Sequence, residues 1–308
     1  MTGSAFLMRS PAHAVLTTRS HAIFAGGPGR PEQVPVADPA AWSLFLRRLA
    51  APVMRNGMDC PAEFGPELAG RLLDGGHLLG GAAPEPLLAR RHAAMCAAPA
   101  FHLDPPPRQA GHLIVGCTGS VIAGLMPQTL LSLVLSGFQE RLDVILTETA
   151  QRFLARSLLE SYGIRCWADG FERQDGIRVP HVNLAASADL ICVLPATADA
   201  LDRLARSACS DLLSLAVAAS AAPVVICPAM NQAMWANPGI QRNVRRLRED
   251  GHFVMEPAVL FAAADFGAGA RLGYGGHGTL WAGPGVLMQA LSAVLDFARG
   301  ETQGSDGQ

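Results

Sequence analysis

The chain has 308 residues, 50% of them hydrophobic and only 16% charged, with a formal net charge of −2. That is enough for one large domain or two ordinary ones, and a buried subunit interface would account for part of the apolar excess. The absence of a sustained basic run argues against a nucleic-acid partner, and no apolar run reaches membrane-spanning length, LMPQTLLSLVLSGF being broken by Pro127 and Gln128.

In chain order, AVLTTRSHAIFAG (14–26) reads as a strand pair, and DPAAWSLFLRRLAAP (38–52) as an amphipathic helix opened by Asp38 and Pro39. FGPELAGRLLDGG (64–76) is a second helix closed by glycines, HLLGG (77–81) a short strand, and EPLLARRHAAMCA (85–97) a third helix. This α+β region, residues 1–102, is compatible with a small winged-helix-like module. An extension packed on the core or on an adjacent subunit fits equally well. The three prolines of LDPPPRQAG (103–111) then mark a linker.

Beyond it, strand and helix signals alternate. Strands are expected at Leu113–Cys117, Asp143–Thr147, Leu190–Pro195, Val224–Pro228 and His252–Met255, with helices near 121–136, 149–162, 198–219 and 237–250. Strands that are continuous apolar runs imply cover on both faces, so an α/β fold with a doubly wound, Rossmann-like parallel sheet follows for residues 112–300. Residues 301–308 are expected to form a disordered tail.

Four turns at strand ends carry polar groups. GCTGSVIAG places Gly116, Thr118, Gly119 and Ser120 where a strand becomes a helix, a phosphate cradle that also suits an ordinary tight turn. It matches neither GxGxxG nor a P-loop, which points to a mononucleotide such as FMN. LTETAQRF offers Thr147 and Thr149, and LPATADA offers Thr197 and Asp199, each group suited equally to capping a helix. PAMNQAMW follows the strand VVIC and sets Asn231 between two methionines and Trp235, where an amide in an apolar loop needs a partner. His181, in PHVNL ahead of a helical turn, suits proton abstraction as well as it suits a structural role. The histidines show no metal-ligand spacing, so no metal is expected. Seven cysteines, an odd count with no framework spacing and no CxxC pair, indicate a reducing compartment, and with no convincing signal peptide the expectation is cytoplasmic.

GCTGS, PHVNL, LPATADAL and PAMNQAMW, in this order, resemble the homo-oligomeric flavin-containing cysteine decarboxylases over roughly residues 111–285. The PAMNQAMW element is specific; the Gly/Thr/Ser turn is shared with other flavoproteins. The resemblance implies a flavoprotein fold assembled as a trimer or multiple of trimers such as a homododecamer, with FMN between subunits. Gly119, Ser120, Thr147, Ala196 and Thr197 would contact FMN, His181 would be the base, and Asn231 with Met234 would hold the substrate carboxylate. The implied reaction is oxidative decarboxylation of a terminal cysteine, with hydride passing to flavin and CO₂ leaving a thioaldehyde to give an enethiolate.

One departure from that pattern bears on the product. Phosphopantothenoylcysteine decarboxylases carry a Cys in a flexible clamp; the matching stretch here, AAADFGAGARLG, has Ala263 where that Cys would fall, and by the resemblance Ala263 would line the substrate. Ala cannot return a proton to the enethiol. The expectation is therefore a peptidyl-cysteine decarboxylase acting on a ribosomally made precursor with a C-terminal Cys. Gly267, Gly269, Gly273, Gly275, Gly276 and Gly278 would make the segment a mobile lid, and residues 1–102 would recognise a leader peptide or contact neighbouring subunits. The alternatives are the coenzyme A enzyme and a non-catalytic flavin-binding scaffold.

Overall fold

The computed structural model describes residues 6–10, 13–26, 31–49, 53–55, 58–88, 90, 110–257 and 284–305. Its centre is a parallel sheet of β7 (Ala110–Cys117), β8 (Gln139–Leu146), β9 (Arg165–Trp167), β10 (Leu190–Ala196), β11 (Val224–Pro228) and β12 (Phe253–Met255). The spatial order is β12-β11-β10-β7-β8-β9, so the chain winds outward from β7 in one direction and from β10 in the other. This is the doubly wound Rossmann order, with its topological switch point between β7 and β10.

Helices cover both faces, as the unbroken apolar strands require. Met126, Leu130 and Leu133 of α3 and Leu159 of α4 pack on one face, with Leu287, Leu291 and Val294 of the C-terminal helix α10; α3 spans Met126–Ser136, α4 Arg156–Ser161 and α10 Pro284–Ser305. On the other face lie α5 (Pro180–Ser187), α6 (Ala198–Ala205), α7 (Leu212–Ala219) and α9 (Pro238–Glu249), contributing Leu184, Leu201, Leu213 and Leu247. The short α8 (Gln232–Trp235) follows β11. Among the described residues no helix is long and apolar enough to cross a membrane.

The N-terminal segment shares this sheet. Its strands β2 (Ala14–Thr17), β3 (His21–Ala25) and β4 (Glu32–Pro35) add antiparallel to the edge of β12, Met255 pairing with Leu16. Side chains alternate across a strand, so Ala14, Leu16, Ile23 and Ala25 enter the core under α10. Val15, Ala22 and Phe24 face a second core formed with Trp42, Phe45 and Leu46 of α1 (Pro39–Arg48) and with Leu68 and Leu72 of α2 (Pro66–Asp74). A three-stranded antiparallel sheet, β5 (Val53–Met54)-β1 (Phe6–Arg9)-β6 (Leu78–Gly81), completes that layer. The region is α+β as expected, but β2 and β3 are buried on both faces, and β2–β4 continue the central sheet.

Three local expectations change. The 198–219 helix is two helices, because the chain turns through Ser207 at φ 51° and Asp211 opens α7 with a capping box to Ser214. The short edge strand β9 carried too little apolar pattern to be read. The tail expected to be disordered continues α10 as helix through Ser305, Glu301 and Gln303 being good helix formers. From Ala89 on, save for Arg90, the third N-terminal helix lies outside the described residues, as do most of the linker, Ala263 and the glycines of the expected lid.

Candidate active site

Ligands of open α/β sheets bind beyond the carboxyl ends of the strands at the switch point, and the polar turns gather there. The ends of β7 and β10 are tied by Thr118, whose Oγ1 donates to Pro195 O at 2.6 Å and accepts from Thr197 N at 3.0 Å. β7 and β8 are tied by Thr147 N donating to Cys117 O, and β10 and β11 by Ala229 N donating to Ala196 O at 2.8 Å. Gly119 is required by close approach: a Cβ there would lie 2.3 Å from Thr149 Cγ2 and 2.4 Å from its Cβ. Gly116 is required by packing, since its Cβ would fall 2.3 Å from Leu213 Cδ1 of α7.

Ser120, Thr147 and Thr197 each behave as a cap. Their hydroxyl oxygens accept from Ile122 N, Ala150 N and Ala200 N, all at 3.3 Å. A hydroxyl has one proton and two lone pairs. Accepting from the helix leaves the proton, and among the described residues the Ser120 and Thr147 hydroxyls donate to no protein acceptor, while Thr197 Oγ1 also lies 3.3 Å from Thr118 Oγ1. The sequence alone left cap and phosphate ligand as rivals; the geometry makes them compatible. Hydroxyls at these turns, beside main-chain N–H groups, have the chemistry that suits an anion. Thr149 makes no side-chain cap, and Thr197 rather than Asp199 caps α6, leaving Asp199 ion-paired with Arg203 at 2.6 Å.

At the adjacent end of β11, Asn231 caps α8, its Oδ1 accepting from Met234 N at 2.9 Å. That bond fixes the amide with its oxygen inward, so the group left over is the Nδ2 donor pair, suited to a carboxylate. Asn231 is exposed rather than enclosed, as is the Met234 side chain, while Trp235 is buried among the apolar residues behind the loop. The apolar surround expected for Asn231 is therefore one-sided.

His181 stands in the first turn of α5, half-buried, with Nδ1 buried and unpartnered among the described residues. α5 must return the chain to the start of β10, so its N-terminus points toward the carboxyl edge. Among the described residues, His181 makes no bond to the other candidate residues. Exposed Val179 and Val182 flank it, and Phe171, in the loop after β9, is 91% exposed.

Beneath the cradle, Cys117, Cys192 and Cys227 end or line β7, β10 and β11, all buried. Burial pushes the Cys117 thiol far up, and a hydrogen bond with Cys192 followed by burial does the same for Cys227. Cys117 and Cys227 are thereby held as thiols rather than reactive thiolates.

The Flavoprotein family model matches residues 105–274. The chain belongs to the Flavoprotein family. It is similar to the coenzyme A biosynthesis bifunctional protein CoaBC of Mycobacterium bovis, 38% identical over 159 residues, or 51% of this chain and 37% of that one. It is also similar to the mersacidin decarboxylase of Bacillus sp. strain HIL-Y85/54728, 29% identical over 150 residues, or 49% and 75%. Among solved structures, the FMN-dependent cysteine decarboxylase SpaF is 30% identical, with 61% of this chain and 97% of that one aligned at a TM-score of 0.49. The chain thus spans well under half the length of CoaBC.

Proposed function

We propose that this Flavoprotein-family chain is an FMN-dependent decarboxylase of a C-terminal cysteine on a ribosomally made peptide, leaving an aminoenethiol. The observation that carries the reading is the pairing of two polar sets on one sheet edge: the cap hydroxyls of Ser120, Thr147 and Thr197, with free protons on the first two, and the free Nδ2 of Asn231 at the end of β11. The first set suits a flavin phosphate and the second a substrate carboxylate. Gly119 and Ala196 admit the cofactor close to the main chain. FMN, when bound, supplies the hydride acceptor that the side chains lack.

In this reading Asn231 orients the carboxylate, Met234 forms a wall of the cysteine pocket, and His181 takes the proton released at the substrate. Ala263 leaves the enethiol unprotonated, so the product departs unsaturated. Val179, Val182, Phe171 and Met234 form exposed apolar surface around this edge, which supports closure of the site by a second copy in a trimer or multiple of trimers. Residues 1–102 would add leader recognition or subunit contacts, and the protein would work in the cytoplasm.

The 38% identity to CoaBC favours a second reading, decarboxylation of phosphopantothenoylcysteine. The two are separated by incubating the FMN-loaded protein with cysteine-ended peptides and with that substrate. A peptide loss of about 46 Da, CO₂ plus two hydrogens, supports the first; a loss of about 44 Da from phosphopantothenoylcysteine alone supports the second. Tight FMN binding with neither turnover means a flavin-binding scaffold.

A further inference from the structure

Thr118 is the one hydroxyl of the GCTGS and LPATADA turns that faces inward, 1% exposed against the ends of β7 and β10. Its main-chain N donates to Pro195 O at 3.3 Å and its Oγ1 donates to the same carbonyl at 2.6 Å. The same oxygen accepts from Thr197 N at 3.0 Å and lies 3.3 Å from Thr197 Oγ1. With its proton on Pro195 O and a lone pair on Thr197 N, this hydroxyl has nothing to offer a phosphate.

Its place matters because β7 and β10 flank the switch point. From β7 the chain leaves toward the face carrying α3, and from β10 toward the face carrying α6, so past the last ladder pair, Gly116 with Val193, the bonds of Thr118 continue the link between the two diverging turns. Thr118 forms the floor of the crevice. Two residues along one strand exit stands Ser120, and on the other stands Thr197 itself; the separation of these two donors is therefore set by the bonds that Thr118 makes.

We propose that Thr118 is a positioning residue for the flavin phosphate: it does not touch the cofactor but holds Thr197 and Ser120 at the spacing the phosphate needs. This rests on the FMN reading above. Thr118→Val keeps the shape and removes the hydroxyl, leaving Pro195 O with only the longer bond and Thr197 N with none. Thr118→Ser keeps the hydroxyl.

The test titrates FMN into the flavin-free full chain, following quenching of flavin fluorescence, and records the visible circular dichroism of the bound flavin and the melting temperature of the apoprotein. T118V is expected to lose on the order of tenfold or more in FMN affinity and to alter the dichroism, with T118S within about threefold of the parent. Because Thr118 acts through Thr197, T118V combined with T197V should lose less than the sum of the single losses. If T118V does not fold, Thr118→Ala removes the same hydroxyl with less buried bulk. Parental affinity in T118V or T118A overturns the inference, as does a T118S loss equal to that of T118V, or strict additivity with T197V. A parent chain that binds no FMN overturns the reading on which the inference rests.

Discussion

Arg248 and Glu256 form a buried ion pair, NH2 to Oε1 at 2.5 Å, with both side chains almost wholly out of water. It is completed from the N-terminal segment. Thr17 Oγ1 accepts from Arg248 Nε at 2.8 Å and lies 3.0 Å from Glu256 Oε1, while Ser43 Oγ donates to Oε2 at 3.2 Å. Arg9 donates to the next carbonyl, Pro257 O, at 2.5 Å. A pair buried this deeply is stable only when its remaining lone pairs and protons are satisfied. The N-terminal segment thus holds the end of β12, the last described point before residue 258.

Arg248→Met should therefore destabilise the protein by about 3–5 kcal/mol, since it leaves the Glu256 carboxylate buried without its counter-ion. Urea unfolding checks this, and an unchanged midpoint would show that the pair is solvated in solution. The same bonds mean that deletion of residues 1–102 should yield insoluble or unfolded protein. Leader recognition is better tested by point changes on that segment's surface.

Gly119→Ala is expected to push the GCTGS turn off Thr149 and weaken FMN binding. The Cβ meets Thr149 Cβ as well as Cγ2, so rotation of the threonine cannot relieve the clash. Thr149→Gly added to G119A should recover part of the affinity. An equal affinity for G119A and the parent would disprove the close approach.

Asn231→Asp keeps the oxygen that accepts from Met234 N but replaces the donor Nδ2 with a second anionic oxygen. Turnover of a cysteine-ended peptide should fall by on the order of a hundredfold in kcat/KM, mostly through KM, with FMN retained. A variant that processes the peptide normally would remove Asn231 from carboxylate binding.

His181→Asn should retain FMN and its visible spectrum while decarboxylation drops by on the order of 10²–10⁴-fold, the usual worth of a positioned base. Residual turnover near the parent level would return His181 to a structural role.

Acid should weaken the N-terminal layer. The His13 and His77 rings meet edge to face with centroids 4.7 Å apart. Burial, then the charge on His77, lowers the His13 pKa from 6.5 to about 4, the Gly26 main chain opposing both; burial also lowers His77, against Glu32. Since the unfolded chain takes up the proton first, the contribution is complete above about pH 6.5 and falls as pH drops toward 4, by on the order of 2–3 kcal/mol for His13. Urea midpoints across that range should decline less steeply in His13→Gln. Parallel declines would show that other groups set the acid limit.

Much of this was legible in the chain because it is local. Apolar runs bounded by turns gave the central strands, Asp38 and Asn237 opened helices as their types suggest, and four strand-end turns were polar enough to mark one edge. The split at Ser207 and the edge strand β9 were not legible, because a positive φ and a three-residue strand leave little pattern. Whether a hydroxyl caps a helix or meets a ligand also looked like a choice between rivals, since sequence does not reveal which lone pair is used.

The sequence by itself determined the alternation of strands and helices, the order of the four motifs and the residue types at each turn, all properties of neighbours along the chain. Only the tertiary structure decided that β2–β4 extend the central sheet, that Thr118 turns inward while Ser120 and Thr197 cap their turns, and that Asn231 presents its nitrogen. Those outcomes depend on which distant main-chain groups each side chain meets, and hydrogen-bond capacity is spent in space.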